Sequence, residues 1–382
     1  MKIPFHRTDL GNEEIAAASE AIQSGWLTMG DRTFEFEREF SKYTGASNSI
    51  AVNSCTAALH LALRAAGIQA GDEVIIPAMT FIATWEIITY SGAVPVLCDV
   101  LKENFLIDPL DIEKKITQKT KAIIPVHYGG ESCDMGAIMD IARKYKISVI
   151  EDAAHALPTF YKGQMVGTIG DITCFSFYAT KTLTTGEGGM ITTENHEWAE
   201  RMKRLRLHGI TKDAWNRYSD KGSWEYDVSE AGYKYNITDI ASAIGIEQLK
   251  KSDKMNIARR EIAFKYNAVF GKSGFLDIWK VRDGAGCAWH LYPVKLNLDA
   301  LKINRNKFID ELKKRGISTS VHYIPMYRFS VFKGSGYTEN LFPGCEDIYS
   351  REISLPIYPG MTGKESDYVI ENVMDILGKN KR

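Results

Sequence analysis

The segment that decides the fold class is ISVIEDAAHA at residues 147–156, followed closely by DITCFSFYATK at residues 171–181. Each begins with an apolar, β-branched run typical of a buried strand and ends in polar residues. Further strand-like runs are DEVIIPA (72–78), AVPVLCDV (93–100), KAIIPVHY (121–128) and GGMITT (188–193). Helical patterns alternate with them at 12–24, 32–44, 55–66, 81–91, 108–116, 134–146 and 195–207. This alternation predicts an α/β domain with a mostly parallel sheet covered by helices on both faces.

The polar residues at the ends of these strands are candidates for a functional site, because ligands of such sheets bind beyond the carboxyl ends of the strands. Asp152 ends one run, and burying a carboxylate is costly unless a cationic group pairs with it. Lys181 follows another run, and a lysine held in a polar cleft can have a lowered pKa and act as an amine nucleophile. His127 and His155 are interpreted as hydrogen-bonding site residues or core histidines.

The alternation stops near residue 250, which predicts a large domain at 1–250 and a smaller α+β domain at 251–382. The smaller domain is predicted to contain helices at about 252–270, 304–315 and 365–378, and strands at AWHLYPVKL (288–296) and STSVHYIP (318–325). Residues 211–233 are predicted to form a long ordered loop, and such loops are usually functional.

Composition and charge exclude several classes of protein. The 382 residues carry a formal net charge of -1, which gives no electrostatic basis for binding nucleic acid or acidic membranes. Six cysteines without a CxxC pair indicate reduced thiols and not a zinc or disulfide framework. The eight histidines show no HxxxH spacing, so no metal site is predicted. The N-terminus lacks an apolar signal core, and we expect a soluble, cytoplasmic protein without a membrane partner.

Two further motifs bear on the chemistry. NSCTAALHLAL (53–63) follows a strand-like run and opens a helix, so it predicts either a phosphate site at the helix N-terminus or an ordinary helix cap. The glycines of GEGGM (186–190) do not form GxGxxG, which argues against a nucleotide-dependent dehydrogenase. A phosphate turn, a buried aspartate and a strand-end lysine together are what pyridoxal 5'-phosphate requires of a protein.

The chain resembles the DegT/DnrJ/EryC1/StrS family of pyridoxal-phosphate-dependent nucleotide-sugar aminotransferases, from about Arg7 to Pro359. The resemblance rests on SGWLTMG (24–30), NSCTAALHLAL (53–63), PAMTFIAT (77–84), EDAAHA (151–156), SFYATKTLTTGEGGM (176–190), LHGI (207–210), GYKYNITDI (232–240) and HYIPMY (322–327). It implies fold type I, with pyridoxal 5'-phosphate as cofactor. The motifs are most similar to those of enzymes that aminate C4 of nucleotide-linked keto sugars.

The resemblance also implies roles for individual residues. Lys181 would form the internal aldimine and carry the proton, and Asp152 would pair with the pyridine nitrogen. The other implied cofactor contacts are Phe81 and His155 beside the ring, Thr56, Ala57 and Ser176 at the phosphate, and Lys234 at the phosphate of the neighbouring subunit. The implied contacts of the sugar nucleotide are Trp26, Thr28, His322 and Tyr323.

The implied reaction is a ping-pong transamination between L-glutamate and a nucleotide-linked keto-deoxy sugar, in a homodimer whose active sites lie at the subunit interface. Two alternatives stay open. One is a sugar dehydratase of the same family, although dehydratase relatives have histidine where this chain has Lys181. The other is a member without catalytic activity that binds the cofactor and acts as a regulator.

Overall fold

The computed structural model describes residues 1–211, 226–282 and 286–382. Residues 212–225 of the loop predicted at 211–233 therefore lie outside the described residues. The helices are Asn12–Gln23 (α1), Asp31–Thr44 (α2), Cys55–Ala65 (α3), Ala83–Tyr90 (α4), Pro109–Lys115 (α5), Met135–Tyr145 (α6), His196–Leu205 (α7), Asp239–Phe270 (α8), Arg305–Lys314 (α9), Pro343–Arg351 (α10) and Gly363–Lys379 (α11). No helix in these three ranges is both long and apolar enough to cross a membrane.

The strands form one large sheet, one small sheet and a short hairpin. They are Asn48–Val52 (β1), Glu73–Pro77 (β2), Val94–Cys98 (β3), Thr120–Ile123 (β4), Ser148–Asp152 (β5), Phe160–Tyr161 (β6), Gln164–Met165 (β7), Ile172–Ser176 (β8), Gly189–Thr193 (β9), Leu276–Ile278 (β10), Tyr292–Leu296 (β11) and Glu352–Leu355 (β12). Every strand-like run that was predicted up to residue 193 overlaps one of these strands.

The large sheet has seven strands in the order β1-β9-β8-β5-β4-β2-β3. Strand β9 is antiparallel to both of its neighbours, whereas the other adjacent pairs are parallel. Helices cover both faces of this sheet, so adjacent residues of a central strand are both buried, as Val149 and Ile150 of β5 are. The predicted fold class, an α/β protein with a mostly parallel sheet, is confirmed.

The C-terminal part contains a three-stranded antiparallel sheet in the order β10-β11-β12. The strand predicted at 318–325 is wrong. This segment makes only an isolated bridge between Ser320 and Ser354, and it then leaves the sheet towards the cavity described below. Its β-branched residues favour an extended backbone, but the hydrogen bonds of a ladder continue for one residue pair only.

Helix α8 is longer than predicted and joins the two parts of the chain. It begins at Asp239, where the side chain of Thr238 accepts a hydrogen bond from the Ala241 N–H at 3.3 Å. The predicted domain boundary at 250/251 falls inside this helix and stays a prediction. At the other end of the chain, Ile3 forms a parallel bridge with Ile317, so the N-terminus packs against the C-terminal part.

Candidate active site

A cavity of about 510 Å³ lies at the carboxyl edge of the large sheet. Its floor is formed by the ends of strands β5 and β8, with Asp152 and Ser176. The cavity is also lined by residues far apart in the sequence, from Phe5 near the N-terminus to Ile357 after β12. The site therefore lies where the large sheet meets the N-terminal segment and the C-terminal part, as expected for a sheet of this topology.

Asp152 ends β5 and is held by two hydrogen bonds. Its Oδ2 accepts from the Thr84 hydroxyl at 3.0 Å, and its Oδ1 accepts from the Ala154 N–H at 3.1 Å. Burial raises the pKa of this carboxyl, while these two donors and the Lys181 ammonium act in the opposite direction. The carboxylate is thus oriented in advance, and its negative charge lacks an ion-pair partner within 4 Å among the described residues.

Lys181 follows β8 and lines the same cavity. Its backbone N–H donates to the Tyr178 carbonyl at 2.9 Å, which shapes the turn after the strand. Burial lowers the pKa of its ammonium from 10.5 to about 8, against the opposing influence of Cys55 and Asp152. A substantial share of this amine is neutral in mildly alkaline solution, which a nucleophilic amine requires.

The polar end of the cavity is the N-terminus of α3. Ser54 is the N-cap residue, and its hydroxyl accepts a hydrogen bond from the Ala57 N–H at 3.1 Å. Thr56 and Ser176 line the cavity at this end and present hydroxyl groups to it. Ala57 does not line the cavity, because it is buried and its N–H is already bound by Ser54. The helix N-terminus is therefore capped by Ser54 and is also compatible with an anion, so the two interpretations of NSCTAALHLAL do not exclude each other.

A glycine permits this arrangement. The start of β9 runs directly against the turn before α3, and a Cβ atom on Gly189 would lie 2.7 Å from the Ser54 carbonyl carbon. Any other residue at this position would push the strand and the helix N-terminus apart. Gly189 of GEGGM thus permits the close approach of two backbones, which the sequence pattern alone did not indicate.

Aromatic and imidazole side chains form another wall of the cavity. Phe81 follows β2, and its ring lies 6.3 Å from that of Tyr323. His155 accepts a hydrogen bond from the Gly129 N–H at Nδ1, at 3.2 Å, and its Nε2 lies 3.0 Å from the Tyr323 hydroxyl. Burial lowers the pKa of His155 well below its usual range, so its ring is neutral. With Nδ1 accepting, the proton lies on Nε2, and the Tyr323 O–H is left to donate into the cavity.

His322 also lines this wall, and its Nδ1 lies 2.8 Å from the Ser354 hydroxyl. His290 was not predicted. It lines the cavity with its ring centroid 4.4 Å from that of His155, and its buried Nδ1 lacks a hydrogen-bond partner among the described residues. Thr84 was not predicted to contact Asp152 either. A threonine at the start of a helix after β2, in PAMTFIAT, is the signal that could have indicated it, whereas nothing in the sequence near His290 indicates its position.

Most of the predicted site residues share this cavity, and four do not. The cavity is lined by Thr56, Phe81, Asp152, His155, Ser176, Lys181, His322 and Tyr323, while Ala57, Lys234, Trp26 and Thr28 lie outside its lining. The indole of Trp26 donates a hydrogen bond to the Met29 carbonyl at 3.2 Å. Thr28 and Lys234 are exposed. Their roles stay predictions.

The groups in the cavity fit the cofactor that the sequence resemblance implies. A carboxylate held in a fixed orientation suits a cationic ring nitrogen, the neutral share of the lysine suits an aldehyde, and hydroxyls at a helix N-terminus suit a phosphate. A metal ion is not suggested by the geometry. Among residues 1–211, 226–282 and 286–382 there is no group of three or more His, Cys, Asp or Glu side chains arranged to hold one.

Comparison with known proteins agrees with this geometry. The model of the DegT/DnrJ/EryC1/StrS aminotransferase family matches residues 8–374. The chain is 51% identical over 380 residues to the uncharacterized protein MJ1066 of Methanocaldococcus jannaschii, covering 99% of this chain and 98% of that one. It is 46% identical over 377 residues to the spore coat polysaccharide biosynthesis protein SpsC of Bacillus subtilis, covering 98% and 97%.

A solved structure shows the same fold. The putative sugar aminotransferase Spr1654 of Streptococcus pneumoniae in its PMP form is 36% identical and has a TM-score of 0.93, covering 99% of this chain and 100% of that one. Its PLP form is 35% identical with the same TM-score, covering 99% of each chain.

Proposed function

This chain belongs to the DegT/DnrJ/EryC1/StrS aminotransferase family, and we propose that it transfers an amino group from L-glutamate to the keto carbon, C4, of a nucleotide-linked keto-deoxy sugar. The class of enzyme follows from the family and its solved members: it is a pyridoxal-phosphate-dependent sugar aminotransferase. The observation that carries the proposal for the site is that Lys181 and Asp152 lie in one cavity with the hydroxyls of Thr56 and Ser176.

We assign the residues as follows. Lys181 would hold the cofactor covalently, and its Nζ would move the proton at the reacting carbon. Asp152, oriented by Thr84 and Ala154, would hold the proton on the ring nitrogen. When bound, pyridoxal phosphate would withdraw electrons from the carbon being deprotonated and carry the amino group from donor to acceptor. Thr56 and Ser176 would bind its phosphate, and Phe81 and His155 would contact its ring.

The sugar acceptor is supported by the similarity to SpsC, a protein named for spore coat polysaccharide biosynthesis. C4 as the position of amination and L-glutamate as the donor rest on the resemblance of the sequence motifs. His322 and Tyr323, which line the cavity with His155, are our proposed contacts of the sugar. Trp26 and Thr28 lie outside the cavity of their own subunit and stay predicted contacts of the nucleotide.

We further propose a homodimer in which Lys234 reaches the phosphate in the neighbouring subunit. The rings of Tyr233 and Tyr235 stack on each other at 4.9 Å, and Tyr233 also packs on His60 at 4.7 Å. Side chains alternate along an extended segment, so Lys234 between them is directed away from His60 and is exposed. No carboxylate within 4 Å pairs with its ammonium among the described residues, which leaves this charge available to a second subunit.

We place the enzyme in the cytoplasm. All six cysteines are free thiols, and most of them are buried. Proteins with several unpaired thiols are typical of reducing compartments.

The test has two stages. First, holoenzyme is mixed with L-glutamate alone, and we expect one 2-oxoglutarate per cofactor together with a change in the absorbance of the bound cofactor. Borohydride reduction and peptide mapping should place the cofactor on Lys181. Lys181→Ala and Lys181→Arg should abolish both results while circular dichroism stays that of the wild type.

Second, the aminated enzyme is offered a panel of 3-keto and 4-keto sugars linked to UDP, dTDP or GDP, with ¹⁵N-glutamate as donor. Mass spectrometry should find ¹⁵N in an amino sugar derived from a 4-keto compound. A product that has lost a hydroxyl without gaining nitrogen would indicate a dehydratase. Cofactor binding without turnover of glutamate or any sugar would indicate a regulator.

A further inference from the structure

A chain of buried polar side chains lies behind the wall of the cavity that carries His322. Glu352 and Ser354 are on β12, two residues apart and therefore on the same face of the strand. The Ser354 hydroxyl donates to Oε1 of Glu352 at 2.6 Å and lies 2.8 Å from Nδ1 of His322. Glu352 and Ser354 are fully buried, whereas His322 lines the cavity. The chain thus connects an inaccessible carboxyl with a cavity-lining imidazole.

His322 is held in place from several sides. Its backbone N–H donates to Oε2 of Glu352 at 3.0 Å, and its carbonyl accepts from the Tyr128 hydroxyl at 2.8 Å. Its ring stacks on Phe5 with a centroid distance of 5.6 Å. Nδ1 is engaged by Ser354, and Nε2 has no hydrogen-bond partner among the described residues. Nε2 is therefore the nitrogen that a ligand in the cavity can reach.

The hydrogen bonds permit two arrangements of protons. When Glu352 is ionised, Ser354 donates to it and must accept from Nδ1–H of His322, so Nε2 carries a lone pair. When Glu352 is protonated, the proton lies on Oε1, because Oε2 already accepts the backbone N–H. Oε1–H then donates to Ser354, Ser354 donates to Nδ1, and Nε2 carries the hydrogen.

We propose that Glu352, acting through Ser354, sets the tautomer of His322 and thereby decides whether this wall accepts or donates a hydrogen bond to a hydroxyl of the sugar. Glu352 and Ser354 are positioning residues, since neither reaches the cavity. The identity of the ligand as a sugar rests on the proposed function. The proton arrangement does not, because it follows from contacts within the chain.

The environment of Glu352 and His322 defines the pH range in which the tautomer changes. Burial raises the pKa of Glu352 to about 8, and burial lowers the pKa of His322 to about 4, with Lys181 acting in the same direction on the imidazole. The imidazole is therefore neutral on both sides of pH 8, and only the position of its proton changes. Charged or titratable neighbours of Glu352 are Arg305 at the start of α9, Lys295 in register with it on β11, Tyr128 and Tyr323.

The two tyrosines do not titrate in the same range, because burial raises the pKa values of Tyr128 and Tyr323 well above their usual range and both stay neutral. Lys295 is paired with Asp347 at 3.2 Å. Arg305 favours the ionised form of Glu352.

The tautomer can be observed directly in the holoenzyme by long-range ¹H–¹⁵N correlation after labelling with ¹⁵N-histidine. The chain has eight histidines, and His322→Gln identifies the signals of interest. In the wild type we expect Nε2 of His322 to be protonated at pH 6.5 and unprotonated at pH 9.5, with a midpoint near 8. A tautomer that stays constant over this range would overturn the proposal.

Three variants test whether Glu352 acts on His322 through Ser354. In Glu352→Gln the side-chain amide donates to Ser354 at every pH. Nε2 of His322 should therefore carry the hydrogen over the whole pH range, as it does in the wild type when Glu352 is protonated. In Ser354→Ala the tautomer of His322 should no longer change when Glu352 titrates. In Ser354→Thr, which keeps the hydroxyl, the change should return. Glu371→Gln, at an exposed carboxyl on α11, is the control and should match the wild type.

A midpoint near 8 that survives in Glu352→Gln would also refute the proposal. If Ser354→Ala does not fold, the isosteric Glu352→Gln decides alone. In the amination of the accepted keto sugar, an inflection of KM near pH 8 in the wild type should be absent in Glu352→Gln. Failure of the glutamate half-reaction in the wild type would instead refute the proposed function and leave the tautomer result standing.

Discussion

Asp152 and Lys181 are both driven towards their neutral forms by burial, but in opposite directions on the pH scale. Burial raises the pKa of the carboxyl and lowers that of the ammonium. Each therefore gains from a partner in the cavity: a cationic ring nitrogen favours the carboxylate, and an aldehyde consumes the neutral amine. We therefore expect substitutions of Asp152 and substitutions of Lys181 to have different effects on cofactor binding and on catalysis.

For Asp152 we predict that Asp152→Asn lowers the rate of the glutamate half-reaction by at least about 10²- to 10³-fold, the range found when one preorganised electrostatic partner is removed. Stopped-flow absorbance of the bound cofactor measures this rate. Thr84→Val is the matched control, because it removes one hydrogen bond to Oδ2 and leaves the charge. It should cost about 1 kcal/mol, roughly fivefold in rate. Equal losses in the two variants would mean that orientation, and not charge, is the contribution of Asp152.

For Lys181 we predict the pH dependence of cofactor uptake by the apoenzyme. The pKa of this lysine is lowered from 10.5 to about 8, so the neutral amine increases roughly tenfold per pH unit below 8 and levels off above it. The initial rate of pyridoxal phosphate incorporation, followed by absorbance, should have the same profile. Free N-acetyl-lysine under the same conditions should continue to accelerate up to about pH 10.5. An uptake rate that still rises tenfold between pH 9 and pH 10 would contradict the lowered pKa.

At the scale of secondary structure, the prediction from sequence succeeded where one periodicity dominates. Helices α1 to α7 begin and end within two residues of the predicted bounds, because most of them have a polar N-cap residue and an apolar face or segment of helical length. The start of α8 was missed, since its first turns bury the polar Ser242 and Gln248 as well as apolar residues such as Ile246, which weakens the apolar periodicity. The short strand β10 and the β6–β7 hairpin offer too few residues for a pattern.

The residues of the site also differ in how well the sequence predicts them. Residues at or shortly after the ends of strands, such as Asp152, Ser176 and Lys181, could be identified because a parallel sheet collects its strand ends at one edge. His290, and the buried pair of Glu352 and Ser354, could not, because they reach the site only through packing of the C-terminal part against the sheet. No local motif encodes that contact.

The contact between β9 and the start of α3 carries a prediction at this scale. Gly189→Ala would place a methyl group 2.7 Å from the Ser54 carbonyl carbon, so the helix N-terminus must shift away from the strand. We expect weaker binding of pyridoxal phosphate and a loss of about 1–3 kcal/mol in the free energy of unfolding, the range for overpacked sites. Equilibrium dialysis and urea denaturation measure the two effects. Gly360→Ala, which has open space around it, should alter neither.

At the scale of the whole molecule, one cavity is built from most of the length of the chain. Phe5 comes from the N-terminal segment, the floor comes from the large sheet, and Ile357 follows the last strand. Yet Lys234, whose motif belongs with the others, lies outside the cavity and is exposed. Trp26 and Thr28 also lie outside the cavity, and a site that leaves these three predicted contacts outside its lining is what we would expect if a second copy completes it.

This suggestion leads to a prediction for mixed dimers. Lys234→Gln alone should lower activity through weaker phosphate binding, and Lys181→Ala alone should abolish it. If Lys234 acts across the interface, a heterodimer of the two variants has one cavity with both residues intact and one with neither. Unfolding and refolding an equimolar mixture should therefore restore about a quarter of wild-type activity, since half of the dimers are mixed and each has one competent site. Lys119→Gln, at another exposed lysine, should be as active as the wild type by itself. If the refolded mixture is no more active than the mean of the two variants measured separately, Lys234 does not act in the partner's site.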